Sequence, residues 1–265
     1  MTFCTSSQTE SWADNLRMNP LIDAIYTQGH FLDPADKSVS PFPDSIKRPE
    51  GEAIYHLIRQ AKPQATLEVG MAWGLSSLFI CQALKDNGSG HHTAVDPYEL
   101  SAYRGSGVHN VQQAGLGEYL TLLSESSHFA LPRLVQEKRQ FEVMFIDGSH
   151  LFDDAFVDFF YANRLLPVGG YLIVDDLWMP AVRKMLAFVL NNLPYEIDES
   201  HLSPKPPLLQ RHWQNLRYQT RQLLRGKWTR GVPSETRFHR WHNVNWTVLR
   251  KGEGPQRVWD HYSPF

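Results

Sequence analysis

Two apolar runs in this chain stop abruptly at carboxylates. FEVMFIDGSH, Phe141 to His150, is apolar up to Ile146 and then breaks into Asp147, with His150 three residues further on. YLIVDD, Tyr171 to Asp176, ends in the pair Asp175 and Asp176. An ionised carboxylate at the end of a buried strand is costly unless something cationic compensates it. A hard divalent cation meets that need, and oxygen ligation suits Mg2+, which keeps its remaining positions for water or substrate oxygens. Asp147, Asp175 and Asp176 are therefore candidate metal ligands. His150, with an ordinary pKa near ~6.5, could accept a hydroxyl proton at neutral pH, and Asp147 is a second candidate for that role. A simpler account exists for each: Asp147 as a helix cap, Asp175-Asp176 as the start of a turn, His150 as a loop-positioning residue. The nearby pair Asp153-Asp154 falls in the first turn of a helix, where the macrodipole explains it. No such explanation covers Asp175-Asp176.

A second group could hold a ligand. LEVGMAWGLSS places Gly70 and Gly74 between a short apolar segment and a helical one, where a backbone can approach a ligand closely. The stretch does not spell G-x-G-x-x-G, and no G-K-S/T follows, so a nucleoside ligand without a pyrophosphate fits better than a dinucleotide. Asp96 ends the next apolar segment, near the ~20-residue offset at which an acid commonly holds ribose hydroxyls. Alternatively, the glycines only permit a tight turn and Asp96 caps the loop at Pro97.

The elements that must position these groups follow from periodicity. PEGEAIYHLIRQA (49–61) sets Ile54, Leu57 and Ile58 on one helical stripe, and Lys62-Pro63 stops it. TLEVG (66–70), HTAVD (92–96), LTLLSE (120–125), FEVMFIDG (141–148) and YLIVDD (171–176) read as strands. Between them lie the helical segments 74–85 and 129–138 and the run from His150 to Leu166, whose Phe152, Phe156, Phe159 and Phe160 form an apolar face. A helix at 179–192, a short strand near 195–199 and a last strand at 244–251 complete the alternation. Such alternation, with continuous apolar strands, implies an α/β domain around a mostly parallel sheet. In such a sheet the carboxyl ends of the strands line the ligand crevice, which brings the acids towards one point.

Glu68, Gly70 and Gly74 spell E-x-G-x-x-x-G, and with an acid at the next strand end the pattern resembles the class I S-adenosylmethionine-dependent methyltransferases. More narrowly, LEVGMAWGLSSLFI, AVDPYE, FIDGSH and GGYLIVDD are similar to the metal-dependent O-methyltransferases of the macrocin and cephalosporin-hydroxylase-like group, distant relatives of catechol O-methyltransferase. The resemblance covers roughly residues 50–190. It implies a Rossmann-like fold, a seven-stranded sheet with helices on both faces and an antiparallel last strand. It further implies S-adenosylmethionine as cofactor, with Glu68 near its methionine amino group, the 70–74 backbone and Ser76 at its methionine moiety, and Asp96 on its ribose. The same resemblance places a metal on acids at the matching positions Asp147, Asp175 and Asp176. Two departures from the catechol branch stand out: His150 replaces a base lysine, and Asp176 replaces an amide.

The 265 residues, 42% hydrophobic and 20% charged with a net charge of -2, fit one large globular domain without the basic excess of general nucleic-acid binders. Cys4 and Cys81 form no C-x-x-C pair, and both are expected as reduced thiols. No signal peptide or membrane-spanning run is visible, so a cytoplasmic location is expected. Residues 1–50 are expected as a helical and loop extension and 51–265 as the cofactor-binding domain. Within the latter, 201–242 is a basic, aromatic insertion containing Arg217, Arg221, Arg225, Trp213, Trp228 and Trp241. It would serve as a lid selecting an anionic acceptor, as a solvated excursion, or as a homodimer contact. The expected activity is methyl transfer to a hydroxyl of a small molecule, a sugar or natural-product scaffold. The rival readings are a non-catalytic protein binding an anionic or RNA partner through the insertion, and a nucleotide-dependent oxidoreductase, which the missing G-x-G-x-x-G argues against.

Overall fold

The computed structural model of the protein describes residues 18–198, 200, 245–254, 258, 260–261 and 263–264. Residues 1–17, with Cys4, and the insertion 201–242 lie outside the described residues; Cys81 is a buried free thiol.

Residues 18–47 hold α1 (Pro20–Gln28) and a short hairpin, β1 (Phe31–Leu32) with β2 (Ser38–Val39). Then come α2 (Arg48–Ala61), β3 (Ala65–Val69), α3 (Leu75–Asn87), β4 (His91–Val95) and α4 (Ser106–Gln113). After these follow β5 (Leu120–Leu123), α5 (Ser127–Gln136), β6 (Val143–Ile146), α6 (Phe152–Leu165), β7 (Tyr171–Val174) and α7 (Pro180–Asn192). The last elements are β8 (Tyr195–Ile197) and β9 (Thr247–Lys251). Seven strands form one sheet in the order β5-β4-β3-β6-β7-β9-β8. β3, β4, β5, β6 and β7 pair in parallel, and β9 runs antiparallel to both β7 and β8. The expected Rossmann-like sheet with an antiparallel last strand is thus the observed one.

The continuous apolar strands are explained by burial on both faces. In β6, Val143 and Phe145 point into the core formed with α1 to α4, whereas Met144 and Ile146 point into the core formed with α5 to α7. The aromatic face expected on α6 is only partly buried: Phe159 is in the core, but Phe152 and Phe160 are exposed. Phe152 lies tilted against Phe156 and Phe156 meets Phe188 of α7 edge-on, while Arg164 covers the Phe160 ring at 3.5 Å.

The order of the sheet places β3 between β4 and β6, so the glycine loop after β3 and the acid after β6 emerge side by side. α2 covers this region from one face. Its approach to α3 is set at Gly51, where a Cβ would lie 2.1 Å from the ring of Phe79, itself fully buried. The α1 segment packs over α3, with Asn19 donating to Gln82 Oε1 and to the Ala114 carbonyl. Gly51→Ala should therefore cost about 1–3 kcal/mol, because the buried ring has no room to move aside. Urea denaturation measures this, and unchanged stability would mean that α2 and α3 are not in the contact described.

Candidate active site

The loop between β3 and α3 is built by three residues with positive φ, namely Gly70 (φ 90°), Ala72 (φ 47°) and Gly74 (φ 76°). At Gly70 a Cβ would lie 2.0 Å from the carbonyl oxygen of Asp147. At Gly74 it would lie 2.8 Å from the α-carbon of Gly107 in α4. Both glycines are thus required by backbone packing, and the first presses the loop directly onto the chain at Asp147. Asp96, 4% exposed, accepts from the N–H groups of Met71 and Ala72 through Oδ2 and of Tyr98 through Oδ1. It therefore ties the end of β4 to the glycine loop. Glu68 is fully buried; its carboxylate accepts from the hydroxyls of Ser76 and Ser77 and lies 3.2 Å from His92 Nε2. Glu68 and Ser76, expected as cofactor contacts, are here bonded to each other beneath the loop. Trp73 closes the outer side, edge-on to Tyr103 at 4.8 Å and tilted against Phe31 at 5.7 Å. Tyr98 and Leu100 stand exposed beyond Asp96.

At the carboxyl ends of β6 and β7 the structure brings together Asp147, His150 and Asp176, with one ligand atom from each lying within 4.8 Å of the others. His150 is on the loop leading into α6, and its Nε2 is bonded to Asp176 Oδ2. Asp176 Oδ1 accepts from the indole N–H of the exposed Trp178 at 2.6 Å. Burial pushes the Asp176 carboxyl up, but the bonds from His150 and Trp178 outweigh it and hold it below the ordinary range. The same bond to Asp176 raises the His150 imidazole, against the opposing effect of burial. Asp147 is raised well above the ordinary range, first by burial and then by the charges of Asp175, Asp176 and Glu68.

The expected triad of Asp147, Asp175 and Asp176 is not the one drawn together. Asp175 is 6% exposed, and its Oδ1 accepts from the N–H of Asp176 at 2.7 Å and from Asn245 Nδ2 at 2.5 Å. Its charge also acts on the carboxyl of Glu50, in the first turn of α2. Burial raises Asp175 to about 7. Glu50, 3% exposed, is pushed well up by burial and by the charges of Asp175, Asp147 and Asp176. Glu50, Asn245 and Trp178 were not legible as site residues, although Glu50 lies four residues before Ile54 on the helical stripe that faces the core. Below Gly148, Asp158 of α6 is 2% exposed. Burial pushes its carboxyl up to about 6, against a hydrogen bond from Ser127 that pulls it down.

Comparison with known proteins places these features in a family context. Residues 67–177 match a family model described as a methyltransferase domain. An Arabidopsis thaliana protein that carries the name of a caffeoyl-CoA O-methyltransferase is 28% identical over 131 residues, which is 49% of this chain and 53% of that protein. The chain thus spans about half the length of this curated relative. Among solved structures, the O-methyltransferase TomG of Streptomyces achromogenes, in complex with S-adenosylmethionine, superposes with a TM-score of 0.52 at 19% identity. That match covers 59% of this chain and 74% of TomG. An O-methyltransferase of Bacillus cereus, in complex with S-adenosylhomocysteine, superposes with a TM-score of 0.52 at 16% identity, over 59% of this chain and 75% of that one. The structural likenesses concern the fold, and the domain match lies within the residues whose motifs carried the resemblance.

Asp158 offers a test of the packing under this site that is independent of any ligand. Its folded pKa is raised, so the stability it contributes is fully present below the unfolded value near ~3.9 and is lost as pH rises through about 6. Asp158→Asn should remove this loss and gain on the order of 1–3 kcal/mol over the parent at pH 8 compared with pH 4. Denaturation at the two pH values measures the difference; equal curves would show that the Asp158 carboxyl is hydrated.

Proposed function

We propose that this chain, whose residues 67–177 match a family model described as a methyltransferase domain, is a divalent-cation-assisted O-methyltransferase that transfers a methyl group from S-adenosylmethionine to a hydroxyl of a small molecule. One observation carries the reading: the glycine loop that would face the cofactor is pressed against the backbone of Asp147, the residue that begins the acid and imidazole cluster. Donor and acceptor sites are therefore neighbours, as an in-line transfer requires.

The residues present fit both groups. For the cofactor, the chain offers the Gly70–Gly74 backbone, the Asp96 loop that fixes it, and the exposed Tyr98 and Leu100 beside it. Glu68 and Ser76 support this loop from below, and Asp96 keeps acceptor capacity beyond its backbone bonds for a hydroxyl. For the cation, Asp147 and Asp176 are the carboxylates in reach of one another, and the acid charges that raise Asp147 are the kind a divalent ion offsets. When bound, such an ion would lower the pKa of an acceptor hydroxyl and orient its oxygen. Two carboxylates are compatible with Mg2+, and the nearby imidazole extends the choice to Mn2+.

His150 supplies the base. With Nε2–H donated to Asp176, the neutral ring carries its basic nitrogen at Nδ1, and the carboxylate stabilises the imidazolium that forms on proton transfer. Trp178, exposed next to Asp176, offers a flat apolar wall to the acceptor.

The test separates the parts. Asp147→Ala and Asp176→Ala should each reduce methyl transfer at least about 10²-fold and weaken Mg2+ or Mn2+ binding in calorimetry, while S-adenosylhomocysteine affinity stays within about twofold. Full activity in excess chelator would refute the role of the cation. No binding of S-adenosylhomocysteine would refute the enzyme reading itself. His150→Gln should lower kcat by about 10²–10⁴ and abolish the rise in rate as pH increases through the imidazole range near ~6.5 and above. An unchanged pH profile would pass the base role to Asp147.

A further inference from the structure

Trp73 stands in the glycine loop, immediately before Gly74, and three elements outside that loop hold it. Its carbonyl oxygen accepts from Nδ2 of Asn110, a buried residue of α4, at 3.0 Å. Its ring lies tilted against Phe31 of β1 at 5.7 Å and edge-on to Tyr103 at 4.8 Å. Phe31 belongs to the core formed with α1 to α4, and Tyr103 lies on the segment between β4 and α4. The holding elements are themselves tied together. Glu99, fully buried on that same segment, accepts from the Val108 N–H in the first turn of α4 at 3.0 Å. Asp33, in the hairpin turn, lies 3.4 Å from the Arg104 guanidinium.

The loop needs such a hold because of the residue before Trp73. Ala72 has φ 47°, a left-handed conformation that a non-glycine residue adopts only when its surroundings enforce it. Asp96 takes the Ala72 N–H and so fixes one side of the residue. On the other side the chain continues into Trp73, where the Asn110 bond and the two ring contacts act. α4 also lies against the strained residue itself, since a Cβ at Gly107 would stand 2.7 Å from the Ala72 carbonyl oxygen. A loop that left this conformation would have to recover it on binding, and apparent affinity falls with the fraction of molecules in the competent conformation.

We propose that Asn110 and Phe31 are positioning residues of the cofactor loop: by holding the carbonyl and the ring of Trp73 they keep Ala72 left-handed and the 70–74 backbone in the shape that receives S-adenosylmethionine. This rests on the proposed cofactor site and adds to its construction one residue from α4 and one from β1. The latter precedes the residues 67–177 that match the methyltransferase domain. Each acts through Trp73, so its loss is read in cofactor affinity and not in stability alone.

The experiment is calorimetry of S-adenosylhomocysteine binding to the full chain, with urea denaturation in parallel, for the parent, Asn110→Leu, Phe31→Leu and Leu84→Val. Asn110→Leu keeps the branched shape without the donor, and Phe31→Leu keeps an apolar side chain without the ring. Leu84, fully buried near the end of α3 remote from the loop and close to Gly90, controls for lost stability alone. The expected result is an affinity about tenfold or more weaker for Asn110→Leu, the size of a buried acceptor left unpaired. Phe31→Leu should lose at least about threefold, the size of an aromatic contact, and Leu84→Val should stay within about twofold while being less stable than the parent. Phe31→Leu leaves the α4 bond in place and decides the matter if Asn110→Leu does not fold. Unchanged affinity in either variant removes that residue from the role. An equal loss in Leu84→Val would mean that affinity follows overall stability and not the hold on Trp73. A parent protein that binds no S-adenosylhomocysteine would instead remove the cofactor site, and this role with it.

Discussion

Carboxyl groups crowd the carboxyl ends of β6 and β7, where burial makes each charge expensive, and much of the surrounding structure serves to make that crowding tolerable. Asp147 is raised by burial and by its acid neighbours, and Asp175 is raised by burial. Only Asp176 remains below the ordinary carboxylate range, because His150 and Trp178 both donate to it. The charge is thus distributed unevenly: the Asp176 carboxylate is favoured by its donors, while burial pushes the Glu50 and Asp175 carboxyls up. Removing one partner from such an arrangement leaves an uncompensated buried group, whose cost exceeds that of an exposed ion pair several-fold.

The second constraint is steric. Gly70 cannot be larger because the Asp147 carbonyl occupies the space, and Gly74 cannot because Gly107 does. These two contacts join the end of β3 to the end of β6 and to the start of α4. Asp96 adds three backbone bonds that hold the same loop to the end of β4. Movement of the loop would therefore disturb the backbone at Asp147. The glycines thus hold the ends of β3 and β6 at a fixed spacing, as the proposed transfer between two bound groups would require.

Most of the sheet was legible because buried parallel strands are written as short continuous apolar runs, and the acids that end them stand out by contrast. What was illegible depends on contacts between distant residues. Asn245 meets Asp175 across 70 residues of sequence. Nothing local in YLIVDD distinguishes an Asp175 that faces Asn245 and Glu50 from one that faces Asp147, so a converging triad of acids was the natural expectation. Glu68 and Asp96 were legible as important positions, but their carboxylates engage Ser76, Ser77 and backbone N–H groups that spacing alone does not reveal. Glu50 did carry a signal, since it continues the buried stripe of Ile54, Leu57 and Ile58 and precedes a glycine inside a helix. A charge on an apolar stripe stands out, and here burial and the neighbouring acids push its carboxyl well up.

The two departures from the catechol branch can be understood together. That branch pairs a basic lysine with an amide at the positions of His150 and Asp176. An amide at 176 would present its N–H groups as well as its oxygen to a site where His150 and Trp178 both act as donors. A carboxylate accepts from both without conflict. Conversely, an imidazole is a weaker base than an amine and gains from a carboxylate that orients it and stabilises its protonated form, which is the direction in which Asp176 shifts His150. In the proposed site, histidine at 150 and aspartate at 176 would therefore form a matched pair, the carboxylate orienting the imidazole and stabilising its protonated form.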